Sequence, residues 1–168
     1  MTIDVDVAIA DGRWRGALGP AEALCREAVR AALAAAGVGR AGGLEVAVLL
    51  TDDGRVRALN RRFRAIDKPT NVLSFASAGG PAAPAEEPQA FGDVVLAYET
   101  VAGEARRQGK TVADHVRHLL VHGALHLAGY DHGDDRQAAV MEGLETSVLA
   151  GLGVANPYRA PDRTDALP

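Results

Sequence analysis

All five histidines of the 168-residue chain lie between positions 115 and 132. The densest stretch reads His122-Gly-Ala-Leu-His126-Leu-Ala-Gly129-Tyr-Asp-His132. Residues four apart on an α-helix differ by only ~40° in azimuth. His122 and His126 therefore project side by side, one turn apart, as two imidazole ligands for one ion. Gly129 can take the left-handed conformation that ends a helix and turns the chain back, which brings His132 in from a third direction. Three imidazoles with an open fourth position describe a catalytic zinc site rather than a closed structural one. Imidazole also suits nickel, iron and copper, so the residue types favour one Zn2+ per chain, with nickel or another divalent metal as the alternative. His115 and His118 share the helix face of His122 and read as groups that support the ligands or the core. Asp131, inside the motif, either orients a ligand histidine or metal-bound water, or shapes the turn.

The spacing H-x3-H-x5-H, with its central glycine, matches the zinc motif H-E-x-x-H-x-x-G-x-x-H of the metzincin proteases. The general-base glutamate of that motif is replaced here by Gly123, which has no side chain. The pattern keeps the metal grip and loses the protease base, which disfavours a peptidase mechanism.

A second chemical feature is the segment 54–68, GRVRALNRRFRAIDK. It holds Arg55, Arg57, Arg61, Arg62, Arg64 and Lys68 against one acid, Asp67, although the whole chain carries a net charge of −4. At helical spacing Val56, Leu59 and Phe63 share a face directed to the core, while Arg57, Arg61 and Arg64 share a flank. Guanidinium groups match phosphate oxygens, and a local basic stripe can bind nucleic acid despite an acidic total. Beside a hydrolytic metal, such a stripe suits phosphodiester cleavage, which needs both a Lewis acid and positive charge near the phosphate.

These residues need a frame to hold them. Hydrophobic residues make up 48% and charged residues 24%, as expected for one globular domain with a real core. No run approaches the ~18 apolar residues of a membrane span, and the acidic, alternating N-terminus is no signal peptide. A lone cysteine, Cys25, can make no internal disulfide, which fits a reducing cytoplasm. Strands are expected at 3–9, 44–50, 71–76 and 92–98, where apolar residues alternate or run together. Helices are expected at 20–36, 54–63, 99–108, 112–127 and 134–150, with Trp14 and Gly16 in a loop. Residues 77–90, rich in Gly, Pro and Ala, read as a mobile surface loop. The expected fold class is α/β (α+β). It is a single domain over 1–151, a small mixed sheet of about four strands with helices packed on it, and the ligand helix lies towards the C-terminal half. Residues 152–168 read as an extended tail.

The segment HGALHLAGYDH resembles the signature of the YbeY family, metal-dependent endoribonucleases specific for single-stranded RNA. Leu59-Asn60, Phe63-Arg64 and Asp67-Lys-Pro-Thr-Asn-Val-Leu-Ser-Phe75 resemble its second characteristic block. Gly92-Asp93-Val-Val-Leu and Met141-Glu-x-Leu-Glu145 resemble two more, in family order over about 59–149. The resemblance implies that His122, His126 and His132 are the metal ligands and that Arg64 is the important arginine of the substrate cleft. His118 and Asp131 are then supporting candidates, and Arg57, Arg61 and Lys68 candidates for RNA contact. It further implies a cytoplasmic enzyme of ribosomal RNA maturation at the 16S 3′ end and of ribosome quality control. Its partners would be single-stranded RNA, pre-rRNA and the ribosome or ribosomal proteins, with no membrane. Water and the RNA 2′-hydroxyl both remain open as nucleophile. Two other readings stand beside this one: a metallohydrolase of peptides or small molecules, and a non-catalytic ribosome-associated RNA-binding module with a structural metal.

Overall fold

The computed structural model describes residues 2–77 and 84–159. Four strands form one mixed sheet: β1 (Ile3–Ile9), β2 (Leu44–Thr51), β3 (Val72–Ala76) and β4 (Gln89–Ala97), in spatial order β1-β2-β4-β3. β1 pairs in parallel with β2 from Ile3↔Leu44 to Ile9↔Leu50, and β2 in parallel with β4, with a register shift at Glu45/Val46. β3 is an edge strand, antiparallel to β4 from Val72↔Leu96 to Ala76↔Gly92. The six helices among the described residues are α1 (Arg13–Leu18), α2 (Ala21–Ala35), α3 (Asp53–Arg64), α4 (Tyr98–Arg107), α5 (Val112–Leu127) and α6 (Asp135–Gly151).

Strand alternation decides where the core sits. Ile3, Val5, Val46, Val48, Leu50, Val94 and Leu96 point to one face and are buried under α2 and α5, with Val116, Leu120 and Ala124 opposing them from α5. The other face carries Asp4, Asp6, Glu45 and Asp93 in the open, and α3 covers only part of it through Val56, Leu73, Val95 and Ala97. The ligand helix α5 thus lies in the main core. Its start is capped by Thr111, whose hydroxyl accepts the Asp114 N–H at 3.1 Å.

The expected elements are present, with three differences. Trp14 is not in a loop: α1 holds it fully buried, its indole N–H donating to the Thr51 carbonyl at 2.8 Å, edge-on to Tyr98. A six-residue helix with an internal glycine has too few turns to show a period. Phe63 does not face the core but is 57% exposed, because the last turn of α3 runs past the covered strip and rests the ring on Phe75 of the edge strand, centroids 5.5 Å apart. β4 begins at Gln89, three residues before the expected start. The expected mobile loop at 77–90 falls partly on residues 78–83, outside the described residues. The expected tail is described only to Arg159. Over 152–159 it lies against α6, with Val154 buried and its N–H donating to the Leu149 carbonyl at 2.8 Å.

Candidate active site

α5 presents the histidines. Its seat on the sheet depends on two glycines. A Cβ on Gly123 would come within 2.9 Å of Ser74 Oγ and 3.0 Å of a Val94 methyl; one on Gly92 would come within 2.6 Å of a Leu127 methyl and 2.7 Å of the Phe75 carbonyl oxygen. Helix and sheet therefore touch where side chains are missing. The position of the metzincin glutamate is filled by close packing, and Ser74 Oγ donates to the Gly123 carbonyl across the contact at 3.3 Å.

His122 and His126 lie one turn apart with their Nε2 atoms 3.0 Å from each other. α5 ends after Leu127, and Gly129, with φ +101°, turns the chain back. The turn is held by Asp131, whose carboxylate accepts the His132 N–H at 2.7 Å. His132 then stacks on His122, centroids 4.8 Å apart. One potential ligand atom from each of the three lies within 4.8 Å of the others. Burial lowers the pKa of His126, and the neighbouring His122 and His132 lower it further, which favours the neutral, ligating form.

The residues fit a metal ion. The donor set is three imidazoles with no carboxylate among them, converging from two directions. His122 turns its Nδ1 to Glu145 Oε1 and so leaves Nε2 for the cluster. Two facing imidazole nitrogens can share only one proton, and a cation between them satisfies both.

Glu145, on α6, is fully buried. Burial pushes its carboxyl up, but contacts from His118, His122 and the Tyr158 hydroxyl outweigh this and hold it down at about 2. Tyr158 donates to Glu145 Oε2. His118 lies 3.3 Å from the Tyr158 hydroxyl and 3.9 Å from Glu145, not against a cluster nitrogen. In the sequence, Glu145 falls in a motif block that gives it no role, and Tyr158 falls in the expected tail. The signal for Glu145 was a lone glutamate among the apolar positions of α6.

A cleft of about 540 Å³ opens beside the cluster, lined by His122, His126, Tyr130 and Asp131 on one side and Arg64, Val72 and Ser74 on the other. Arg64 lies at the end of α3, across the edge of β3. One of its N–H groups donates to the Ser74 carbonyl at 2.7 Å, and the guanidinium carbon lies 5.4 Å from the Phe75 ring centre. The other basic residues are elsewhere. Arg57 is paired to Asp67 at 2.7 Å, and both line a separate cavity of about 310 Å³ with Arg61; Lys68 is exposed on the turn beyond α3. Of the six basic residues in the segment, the structure brings only Arg64 into the histidine cleft.

The fold and the site together define a small α/β protein with a candidate metal centre facing an arginine across a cleft. The family model described as Endoribonuclease YbeY matches residues 17–153. A protein of that name from Paramagnetospirillum magneticum is 50% identical over 94% of this chain and 97% of its own length. Another, from Azorhizobium caulinodans, is 48% identical over 95% and 98%. A solution structure of a Thermotoga maritima protein is similar in fold, with a TM-score of 0.53 and 21% identity, covering 95% of this chain and all of the other. The chain belongs to the YbeY family.

Proposed function

We propose that the protein cleaves single-stranded RNA at the cleft between the histidine cluster and Arg64, as a metal-dependent step in ribosomal RNA maturation. Family membership makes it an endoribonuclease, a hydrolase acting on phosphodiester bonds. One observation carries the site assignment: Arg64 and the two helical histidines line the same cleft. His122, His126 and His132 would hold the ion, with zinc preferred for a site of three imidazoles. When bound, the ion supplies Lewis acidity beside the scissile phosphate.

The protein's own groups do the rest. Arg64 spends one donor on Ser74, and its remaining donors match the oxygens of a phosphate whose charge grows in the transition state. Asp131 fixes the turn that carries His132. A flexible single strand can bend its backbone into such a cleft, whereas a duplex is held away by its own stiffness. Action on pre-rRNA with the ribosome or its proteins as partners, and a cytoplasmic location, complete the proposal. Among the described residues no helix is long and apolar enough to cross a membrane.

The test is metal content and cleavage of single-stranded RNA measured on the same samples. Arg64→Glu is expected to keep its metal and lose cleavage; His126→Ala is expected to lose both. Full cleavage by either variant removes that residue's role. Product ends assign the nucleophile, since a 2′,3′-cyclic phosphate excludes direct attack by water.

A further inference from the structure

A carboxylate buried as completely as that of Glu145 is costly unless both oxygens are engaged. Its engagement is divided. Oε1 faces His122 Nδ1, and Oε2 accepts the Tyr158 hydroxyl. The first contact determines which imidazole nitrogen of His122 carries the proton. With Nδ1–H given to the carboxylate, the Nε2 lone pair is left for the cluster, where it lies 3.0 Å from His126 Nε2. The second contact fixes the rotation of the carboxylate itself. Without it, the nearest remaining donor to Oε2 among the described residues is His118, at 3.9 Å.

Tyr158 is placed for this by the chain after α6. Val154 is buried, and Asn156 Oδ1 accepts from both the Tyr158 N–H at 2.9 Å and the Thr146 hydroxyl at 3.3 Å. The residue is 42% exposed, so its hydroxyl contact stands out over its packing. Its ring meets His118 edge-on, centroids 5.4 Å apart. Val154, Asn156 and Tyr158 lie beyond the 17–153 region matched by the family model.

We infer that Tyr158 is a positioning residue for the metal centre: through Glu145 it holds His122 in the tautomer and orientation that ligate, so that the segment beyond the last helix helps to set metal affinity. The inference rests on the reading of His122, His126 and His132 as metal ligands. Removing an outer hydrogen-bond partner of a ligand histidine typically costs 10–100-fold in metal affinity.

The experiment uses the full chain, stripped of metal and titrated with Zn2+ against a chromophoric chelator. The His122 tautomer is read in the metal-free protein by long-range nitrogen–proton NMR. Tyr158→Phe, which removes only the hydroxyl, is expected to weaken Zn2+ binding about 10-fold and Glu145→Gln about 100-fold. Both should lose the single Nδ1–H signature of His122. Glu145→Asp should recover part of the affinity. A merely structural Tyr158 would lower the melting temperature and leave both readouts unchanged. Affinity within roughly twofold of the parent in Tyr158→Phe, with the tautomer unaltered, overturns the inference. Failure of the parent protein to bind Zn2+, or equal binding by His126→Ala, overturns the ligand reading and the inference with it, and is distinguished because it shows without any change at Tyr158.

Discussion

Arg57 and Arg64 lie on one flank of one helix and have opposite commitments. Arg57 gives two N–H groups to Asp67, at 2.7 and 3.2 Å, and holds that carboxyl below the usual carboxylate range. Its charge is already answered, in the open, where such a pair is worth little to stability. Arg64 gives one N–H to a backbone carbonyl, which bears no net charge, and so carries its full charge into the cleft. Arg64→Ala should therefore lower single-strand cleavage by roughly 10²–10³-fold at saturating metal, the scale of losing one transition-state donor. Arg57→Ala should change it by less than about threefold, as for an exposed ion pair. Parallel rate measurements check this, and equal losses would refute the distinction. Helical spacing alone put Arg57, Arg61 and Arg64 together, because Asp67 joins Arg57 only after the chain has turned at Ala65, φ +57°. The histidines were more legible. An i, i+4 pair on a helix is local geometry, and Gly129 announces the turn that brings in His132. Glu145 and Tyr158 reach the same point from α6 and beyond, through contacts whose distance in sequence no local period records.

The element that positions the site is α5, and what fixes its register is absence. Gly92 and Gly123 let helix and sheet approach until the next atoms are Leu127, Phe75, Ser74 and Val94. Gly92 is the stricter of the two, since one of its neighbours is a backbone oxygen, which cannot swing aside as a side chain can. Gly92→Ala is expected to destabilise the protein by about 2 kcal/mol through overpacking, read as a lower urea midpoint at unchanged slope. At Gly123 the gain in helix propensity, about 1 kcal/mol, offsets part of a similar clash, so Gly123→Ala should cost less than Gly92→Ala. The reverse order would contradict this packing of α5 on the sheet. Strands and long helices were legible in sequence because alternation and capping are local. The short α1 was not, since Trp14 is held by the Thr51 carbonyl and Tyr98, both distant in sequence. Phe63 fits the helical period of the core yet is exposed, because the sheet edge ends beneath it, and where a sheet ends is a tertiary fact.

At the scale of the whole molecule, buried polar groups make stability depend on pH, and the sign follows from two of them. His115 is buried on α5, its Nε2 2.9 Å from Glu104, which also accepts from Asn71 ahead of β3 at 3.0 Å. Burial, above all, lowers its pKa below 6.5. The unfolded chain therefore takes up this proton first, and the contribution is full above pH 6.5 and shrinks as pH falls towards the folded-state value. Glu145, held at about 2 against an ordinary 4.5, adds stability that is present above pH 4.5 and lost as pH falls from there towards 2. The metal-free protein should then lose stability in two stages, one opening just below pH 6.5 and one below 4.5. Urea unfolding from pH 7.5 to 3.5 measures both. His115→Gln should reduce the first stage, the remainder coming from His126, whose pKa burial also lowers, and Glu145→Gln should flatten the second. Metal superposes a third dependence. Zn2+ at 1,000 times its dissociation constant should add about 4 kcal/mol at pH 7.5. Protons compete for the same imidazoles, so this increment should shrink on acidification and be absent in His126→Ala at every pH. An increment that survives in His126→Ala would place the ion elsewhere on the molecule and leave the histidine cluster without its assigned ligand.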